Sequence, residues 1–301
     1  MDSLAAAPGT GPATSPIPVL RPARARKSFA DLPKNRTLVM GILNVTPDSF
    51  SDGGRFATAD DAIAEGLRMH YAGADIIDVG GESTRPHADV ISEEEEQRRI
   101  LPVVEGLVKA GALVSVDTMH ATTAAKAIEA GAAIINDVSG LDFDPAMPDL
   151  VAQHKVHYIL MHQRGNPQTM DSLAEYGDVV EEVLAELTGV RDKFLASGVA
   201  PEQIIIDPGI GFAKKEEHNW ELLRSLGRFA DLGHRVLVGA SRKRFLGTLL
   251  TTAGKAAPPQ ERADASLAVS TLAAAHGAWC VRVHDVGPNL DAVKVAAAWA
   301  G

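Results

Sequence analysis

From residue 38 onward the chain alternates short apolar runs, many of them β-branched, with longer stretches in which apolar positions recur at helical spacing. The short runs cover residues 38–45, 75–79, 113–117, 133–138, 157–161, 204–207, 235–238 and 279–284. They are too short for helices and continuous enough for strands buried on both faces. Between them lie Ala-, Glu- and Leu-rich stretches, among them 59–71, 93–109, 122–130 and 266–276, which predict helices. Repeated βα units build a parallel sheet. An open doubly wound sheet places a glycine-rich phosphate loop directly after a strand, and no such loop follows any of the eight runs.

The ends of the runs favour a closed sheet. They carry Asn44, Asp78, Asp117, Asn136, Asp137, His162, Asp207, Ser241, Lys243, Arg282 and His284. In a barrel the C-terminal strand ends converge on one mouth, where sites of that fold are built. The reading is therefore an α/β protein, a single (β/α)₈ TIM barrel over 37–301. Residues 1–36, rich in Ala, Pro, Ser, Thr and Arg, read as a flexible N-terminal extension. A transit peptide is the weaker alternative there, because Asp2 and the early prolines spoil a uniform amphipathic helix. The proline-bearing segment 249–262 reads as a flexible excursion before the last helices.

Three groups of residues suggest chemistry. Asp117, Asn136 and Asp207 end apolar strands, where an unpaired carboxylate is costly. They match a flat ligand with several N–H donors, or alternatively they cap the helices that follow. Arg85, Arg242, Lys243, Arg282 and His284 form a cationic set. Strand alternation puts Arg282 and His284 on one face, as an anion site needs. Two long loops, 44–54 and 80–86, carry the Gly and Pro of irregular backbone and read as covers for the mouth. His70, His120, His154, His218 and His276 read as surface or packing residues, since no H-x-x-x-H pair occurs.

Charge and cysteine content narrow the partners. With 29 Lys plus Arg against 39 Asp plus Glu the net charge is -10, which disfavours nucleic acid and anionic membranes. No apolar run has a membrane-spanning length of roughly 18 residues or more. The single Cys280 excludes an intrachain disulfide and fits a cytoplasmic protein.

The motifs together resemble the dihydropteroate synthase family. The match runs through Gly41-Ile42-Leu43-Asn44-Val45-Thr46-Pro47-Asp48-Ser49-Phe50-Ser51-Asp52-Gly53-Gly54 and Asp78-Val79-Gly80-Gly81-Glu82-Ser83-Thr84-Arg85-Pro86. It continues through Ser115-Val116-Asp117-Thr118, Ile135-Asn136-Asp137, Leu160-Met161-His162, Asp207-Pro208-Gly209-Ile210-Gly211-Phe212, Ser241-Arg242-Lys243 and Arg282-Val283-His284-Asp285-Val286. The resemblance implies condensation of 6-hydroxymethyl-7,8-dihydropterin pyrophosphate with p-aminobenzoate to give 7,8-dihydropteroate and pyrophosphate. Asp117, Asn136, Asp207 and Lys243 resemble the pterin-binding residues, with Val138 and Met161 lining the ring pocket. Asn44 resembles the ligand of Mg²⁺, and Arg85, Arg282 and His284 the pyrophosphate groups. Thr84, Pro86, Gly211, Phe212 and Ser241 resemble the arylamine pocket. Catalysis falls to Asp117, Asp207, Lys243, Arg282 and His284, and similar enzymes are homodimers and sulfonamide targets. His87 departs from the Gly common at that point of the second loop. The alternatives are a catalytically silent pterin-binding homologue and a corrinoid-dependent pterin methyltransferase, which lacks both long loop motifs.

Overall fold

The computed structural model describes residues 28–46, 58–83 and 91–301. Strands β1 (Leu38–Asn44), β2 (Ile76–Gly80), β3 (Val114–Asp117), β4 (Ile134–Asp137), β5 (His157–Met161), β6 (Ile204–Asp207), β7 (Arg235–Val238) and β8 (Cys280–Val283) close as a barrel in chain order. Every pairing is parallel, including β1 with β8. All eight apolar runs are strands, with ends shifted by a residue or so where the run was longest. The helices are α1 (Ala59–Tyr71), α2 (Glu93–Lys109), α3 (Ala121–Glu129), α4 (Met147–His154), α5 (Val179–Ala196), α6 (Glu216–Arg224), α7 (Leu226–Ala230), α8 (Arg244–Leu249), α9 (Ala263–Ala275) and α10 (Val286–Ala300). None of the described helices is long and apolar enough to cross a membrane.

Local chemistry starts the helices where the pattern places them. Thr58 caps α1 by accepting from the Asp61 amide, and the Asp61 carboxylate accepts back from Thr58. At α5 the Asp178 carboxylate accepts from the amides of Val180 and Glu181. Helix α2 opens with four glutamates and ends with Lys109, matching the helix dipole at both ends.

Two apolar clusters follow from the strand period of two. Val39, Ile77, Val116, Tyr158 and Ile206 point outward and pack against the helices. Leu38, Met40, Ile76, Leu113, Ile134, Ile159, Ile205, Leu237 and Cys280 point inward and fill the lower lumen. The same inward parity, continued up each strand, reaches Asn44, Asp78, Asp117, Asn136, Met161, Asp207 and Arg282. The lumen is thus apolar below and polar above, on a single set of positions.

The floor departs from the expected flexible extension over 1–36. Residues 28–36 are ordered and seal the base, while the earlier ones lie outside the described residues. Phe29 stacks on His157 with ring centroids 3.4 Å apart and lies 5.6 Å from the Trp279 ring. Arg36 forms two bonds to Asp75, at 2.7 and 2.9 Å, and Asp75 also accepts from the Val39 amide. The segment 249–262 likewise has more structure than expected. It holds a Thr252–Lys255 bridge and a 3₁₀ turn, Pro259–Arg262, whose Arg262 donates to the carbonyls of Ala257 and Arg242.

If the lumen cluster carries the barrel, Ile205→Ala, at a site with no exposure, should cost about 2–5 kcal/mol. Urea unfolding followed by far-UV circular dichroism reads this. A loss under about 1 kcal/mol, a typical surface-level effect, would mean the lumen contributes little.

Candidate active site

The polar half of the lumen is organised by Arg282. Its Nε donates to Asp78 Oδ2 at 2.6 Å and its Nη2 to Asp117 Oδ2 at 2.6 Å. Asn136 Nδ2 donates to the same Asp78 oxygen at 3.0 Å. Strand order explains the geometry. Arg282 on β8 stands beside Met40 on β1, and its long side chain crosses the lumen to carboxylates on β2 and β3. Asp78 has no exposure, and among the described residues its Oδ1 has no hydrogen-bond partner. A buried acceptor in that state awaits a ligand or water donor.

Asp207 enters the same layer from β6, beside Met161 on β5. Its Oδ1 accepts from the Gly209 amide at 2.8 Å. Burial raises its carboxyl pKa, and the charge of Lys243 opposes the rise. Burial likewise pushes Asp117 up to about 7 despite Arg282, with Asp78 adding to the rise. Lys243 is lowered to about 8, first by burial, while Asp207 pulls it back. Arg282 is raised: Asp78 and Asp117 outweigh its burial. Three carboxylates and two long cations therefore meet in a space with little water, where a charge on a ligand interacts far more strongly than in bulk.

The rim is built from the loops after β6, β7 and β8. Lys243 Nζ donates to the Ile210 carbonyl and lies 4.2 Å from the centre of the Phe212 ring. Gly211 adopts φ +82, and a Cβ there would stand 2.8 Å from Lys243 Cδ, so the lysine stem occupies the space a side chain would need. Ser241 Oγ and His284 Nδ1 are 2.9 Å apart, and the His284 amide also approaches that hydroxyl. Val138, just past β4, and Met161, at the end of β5, are buried apolar walls. Asn44 ends β1 beside Gly80. Thr84, Arg85, Pro86 and His87, with positions 47–57 of the first loop, lie outside the described residues.

The structure thus brings Asp117, Asn136, Asp207, Lys243 and Arg282 together, and separates other residues the sequence grouped with them. Arg242 is bound by both oxygens of Asp285, at 2.9 and 2.8 Å, and its φ of +58 is held by Ser266 and Arg262. Asp137, on the outward parity, accepts from Ser139 and from Tyr158. The helix-capping alternative fails for Asp117, because α3 starts at His120 with no side-chain cap. It fails for Asp207 as well, whose carboxylate accepts from the Gly209 amide in the loop while α6 starts after Lys215. His120, read as a surface or packing residue, lies 3.7 Å from Glu93 and 4.0 Å from Glu82 at the root of the second loop. Sequence reasoning noticed Asp78 as a strand end but gave it no role. Its inward parity with Ile76 was the available signal.

A sequence profile described as pterin binding enzyme matches residues 40–284. The chain is 51% identical over 263 residues to a dihydropteroate synthase of Mycobacterium leprae, covering 87% of this chain and 93% of that protein. It resembles the solved Xanthomonas albilineans dihydropteroate synthase with 4-aminobenzoic acid at TM-score 0.81 and 43% identity, over 88% of this chain and 93% of that one. The Xanthomonas albilineans enzyme in complex with 7,8-dihydropteroate gives TM-score 0.78 and 40% identity, over 88% and 94% of the two chains.

Removing the central cation should expose the repulsion it masks. In Arg282→Met the Asp117 pKa should rise further above its unfolded value of about 3.9, so the folded state holds a proton that the unfolded chain releases. Stability then falls as pH rises. The expected cost is about 3–5 kcal/mol at pH 8, shrinking toward pH 5, measured by urea unfolding. An equal loss at both pH values would show that Arg282 is not neutralising this pair.

Proposed function

The chain belongs to the pterin binding enzymes, and within them to the dihydropteroate synthases; from that premise we propose how its residues divide the reaction. It is a transferase of folate synthesis, joining a pterin methylene carbon to an arylamine nitrogen with loss of pyrophosphate. The observation that carries the proposal is the layer of Asp78, Asp117, Asn136 and Asp207 facing Arg282 and Lys243 on inward positions of one barrel mouth. A dihydropterin offers a row of N–H donors and ring acceptors. Carboxylates accept, the Asn136 amide both accepts and donates, and Lys243 donates. Val138 and Met161 supply the flat apolar walls.

The departing group is an anion. Arg282 has five N–H donors, and the two bonds to Asp78 and Asp117 leave donors on the same guanidinium for pyrophosphate. His284, two positions along from Arg282, adds a directional donor, as does Arg85 of the second loop. As the carbon–oxygen bond lengthens, Asp117 and Asp207 stabilise positive charge on the pterin, and Arg282 and His284 stabilise the anion. The arylamine nitrogen attacks the methylene carbon and loses a proton. Gly211, Phe212 and Ser241, with Thr84 and Pro86, form its pocket. Sulfonamides, as mimics of the arylamine, would compete there.

Mg²⁺ belongs to the same proposal. Among the described residues no cluster of three or more His, Cys, Asp or Glu is suited to a metal. That fits Mg²⁺ held mainly by substrate phosphates and water, with Asn44 as a neutral oxygen ligand from the protein. Bound, the ion would offset charge on the pyrophosphate. A cytoplasmic location is supported by the lone, buried Cys280.

A homodimer is supported by the outer faces of α9 and α10, where Leu272 is 61%, Val295 60% and Trp299 87% exposed. Exposed apolar groups on two adjoining helices form the kind of patch that associating proteins cover. Leu272→Glu with Trp299→Lys should convert a dimer to monomer in sedimentation, and an unchanged sedimentation coefficient would place the interface elsewhere.

The activity is tested by pyrophosphate release from 6-hydroxymethyl-7,8-dihydropterin pyrophosphate and Mg²⁺, with and without p-aminobenzoate. Release that requires the arylamine, with dihydropteroate in equal amount, is expected. Pterin binding without turnover would mean a silent homologue. Asp117→Asn should weaken pterin binding about 10- to 100-fold, the value of a hydrogen bond to a charged group. Unaltered affinity in calorimetry would put Asp117 outside the recognition set.

A further inference from the structure

Behind the proposed arylamine pocket lies a buried network that the assigned roles do not use. Lys214 is 4% exposed, and its Nζ bonds to His162 Nδ1 at 2.9 Å and to the Phe212 carbonyl at 2.9 Å. His162 Nε2 meets Glu186 Oε2 at 2.7 Å. These contacts fix the tautomer. The imidazole is neutral, donating from Nε2 to Glu186 and accepting at Nδ1 from Lys214. Burial, with the charge of Lys214, pushes His162 down to about 3, in agreement with that assignment.

Glu186 also receives Arg164, whose guanidinium lies 4.0 Å above the Tyr176 ring. The Tyr176 hydroxyl donates to the Ala213 carbonyl at 3.0 Å. One network therefore ends on two consecutive carbonyls, Phe212 from Lys214 and Ala213 from Tyr176. Both belong to the loop after β6. That loop is under conformational demand, since Ala213 has φ +47, a region non-glycine residues rarely occupy. Gly209 has φ +71, and a Cβ there would fall 1.9 Å from the His162 carbonyl oxygen and 3.3 Å from Lys214 Nζ. The loop backbone therefore packs directly on the His162 carbonyl, with the lysine ammonium beside it.

We propose that Lys214 is a positioning residue for the arylamine: anchored by His162 and Glu186, it holds the Phe212 carbonyl and so sets where the Phe212 ring meets the arylamine. This rests on the assignment of Phe212 and Gly211 to the arylamine pocket. Asp117 and Asn136 stand on β3 and β4, and the loop meets the pterin set through Gly209 on Asp207 and Ile210 on Lys243. Gly211 and Phe212 are part of the loop itself, so loosening its 212–213 carbonyls should disturb arylamine binding more than pterin binding. Lys214→Met keeps the apolar stem and removes the donor. Tyr176→Phe removes only the hydroxyl on Ala213 and leaves the ring under Arg164.

Steady-state kinetics at pH 8 on the full chain separate the outcomes. In Lys214→Met the KM for p-aminobenzoate should rise about tenfold, the worth of one hydrogen bond of about 1.4 kcal/mol. Its KM for the pterin pyrophosphate and its kcat should stay within threefold of the parent. In Tyr176→Phe a smaller rise in the same constant is expected, and this variant carries the test alone if Lys214→Met does not fold. An unchanged p-aminobenzoate KM, or an equal rise in both KM values, overturns the proposal. The parent enzyme measured beside them keeps the two levels apart: a parent without arylamine-dependent turnover defeats the assigned reaction, whereas an active parent with unaffected variants defeats only the role of Lys214.

Discussion

The guanidinium of Arg282 stands between two carboxylates that the barrel has removed from water, and the upper lumen is arranged around that charge. Asp78 and Asp117 come from neighbouring strands and cannot separate, because the β2–β3 register fixes them. Without a cation between them one would take up a proton and become a donor. Arg282 reaches them from β8 only because the sheet closes on itself. Closure therefore supplies the cation, the cation opposes the rise that burial imposes on Asp117, and both carboxylates are held at the open end of the lumen. A buried arrangement of this kind is seldom the most stable filling for a core. Under the proposed function, its justification would be a set of acceptors already aimed before any substrate arrives.

The strands were legible because a parallel barrel buries each of them on both sides, leaving apolar runs that loops and helices do not imitate. The polar layer was legible for a related reason. In the upper lumen an inward residue has no exit to solvent, so a polar side chain at the end of an apolar run either serves a ligand or finds a partner. Asp117, Asn136, Asp207 and Arg282 follow that logic. Asp137 shows its limit, since one step along the strand turns the side chain outward to Tyr158 and a packing role.

What escaped the sequence depends on partners far along the chain. Phe29 gives no pattern of its own, and its place is decided by His157, which opens β5, and Trp279, just before β8, both far along the chain. Arg262 lies in a proline-bearing stretch with no period, and only the carbonyl of Arg242 gives it a position. Lys214 is the sharpest case. Lysine is rarely buried, and nothing near it in sequence foretells a bond to His162, fifty-two residues away.

The inward apolar side chains, with Phe29, His157 and Trp279 stacked beneath them, close the base of the barrel. A barrel stopped at its base is a well with one opening, so molecules enter and leave in an order set by depth. In the proposed assignment, the group held among the strand carboxylates would arrive before the one that rests against the loop above them. The joined product, spanning both levels, would then withdraw through the upper one. Under that proposal kinetic sequence would be a property of masonry, laid down by the apolar side chains that fill the lumen below the polar layer.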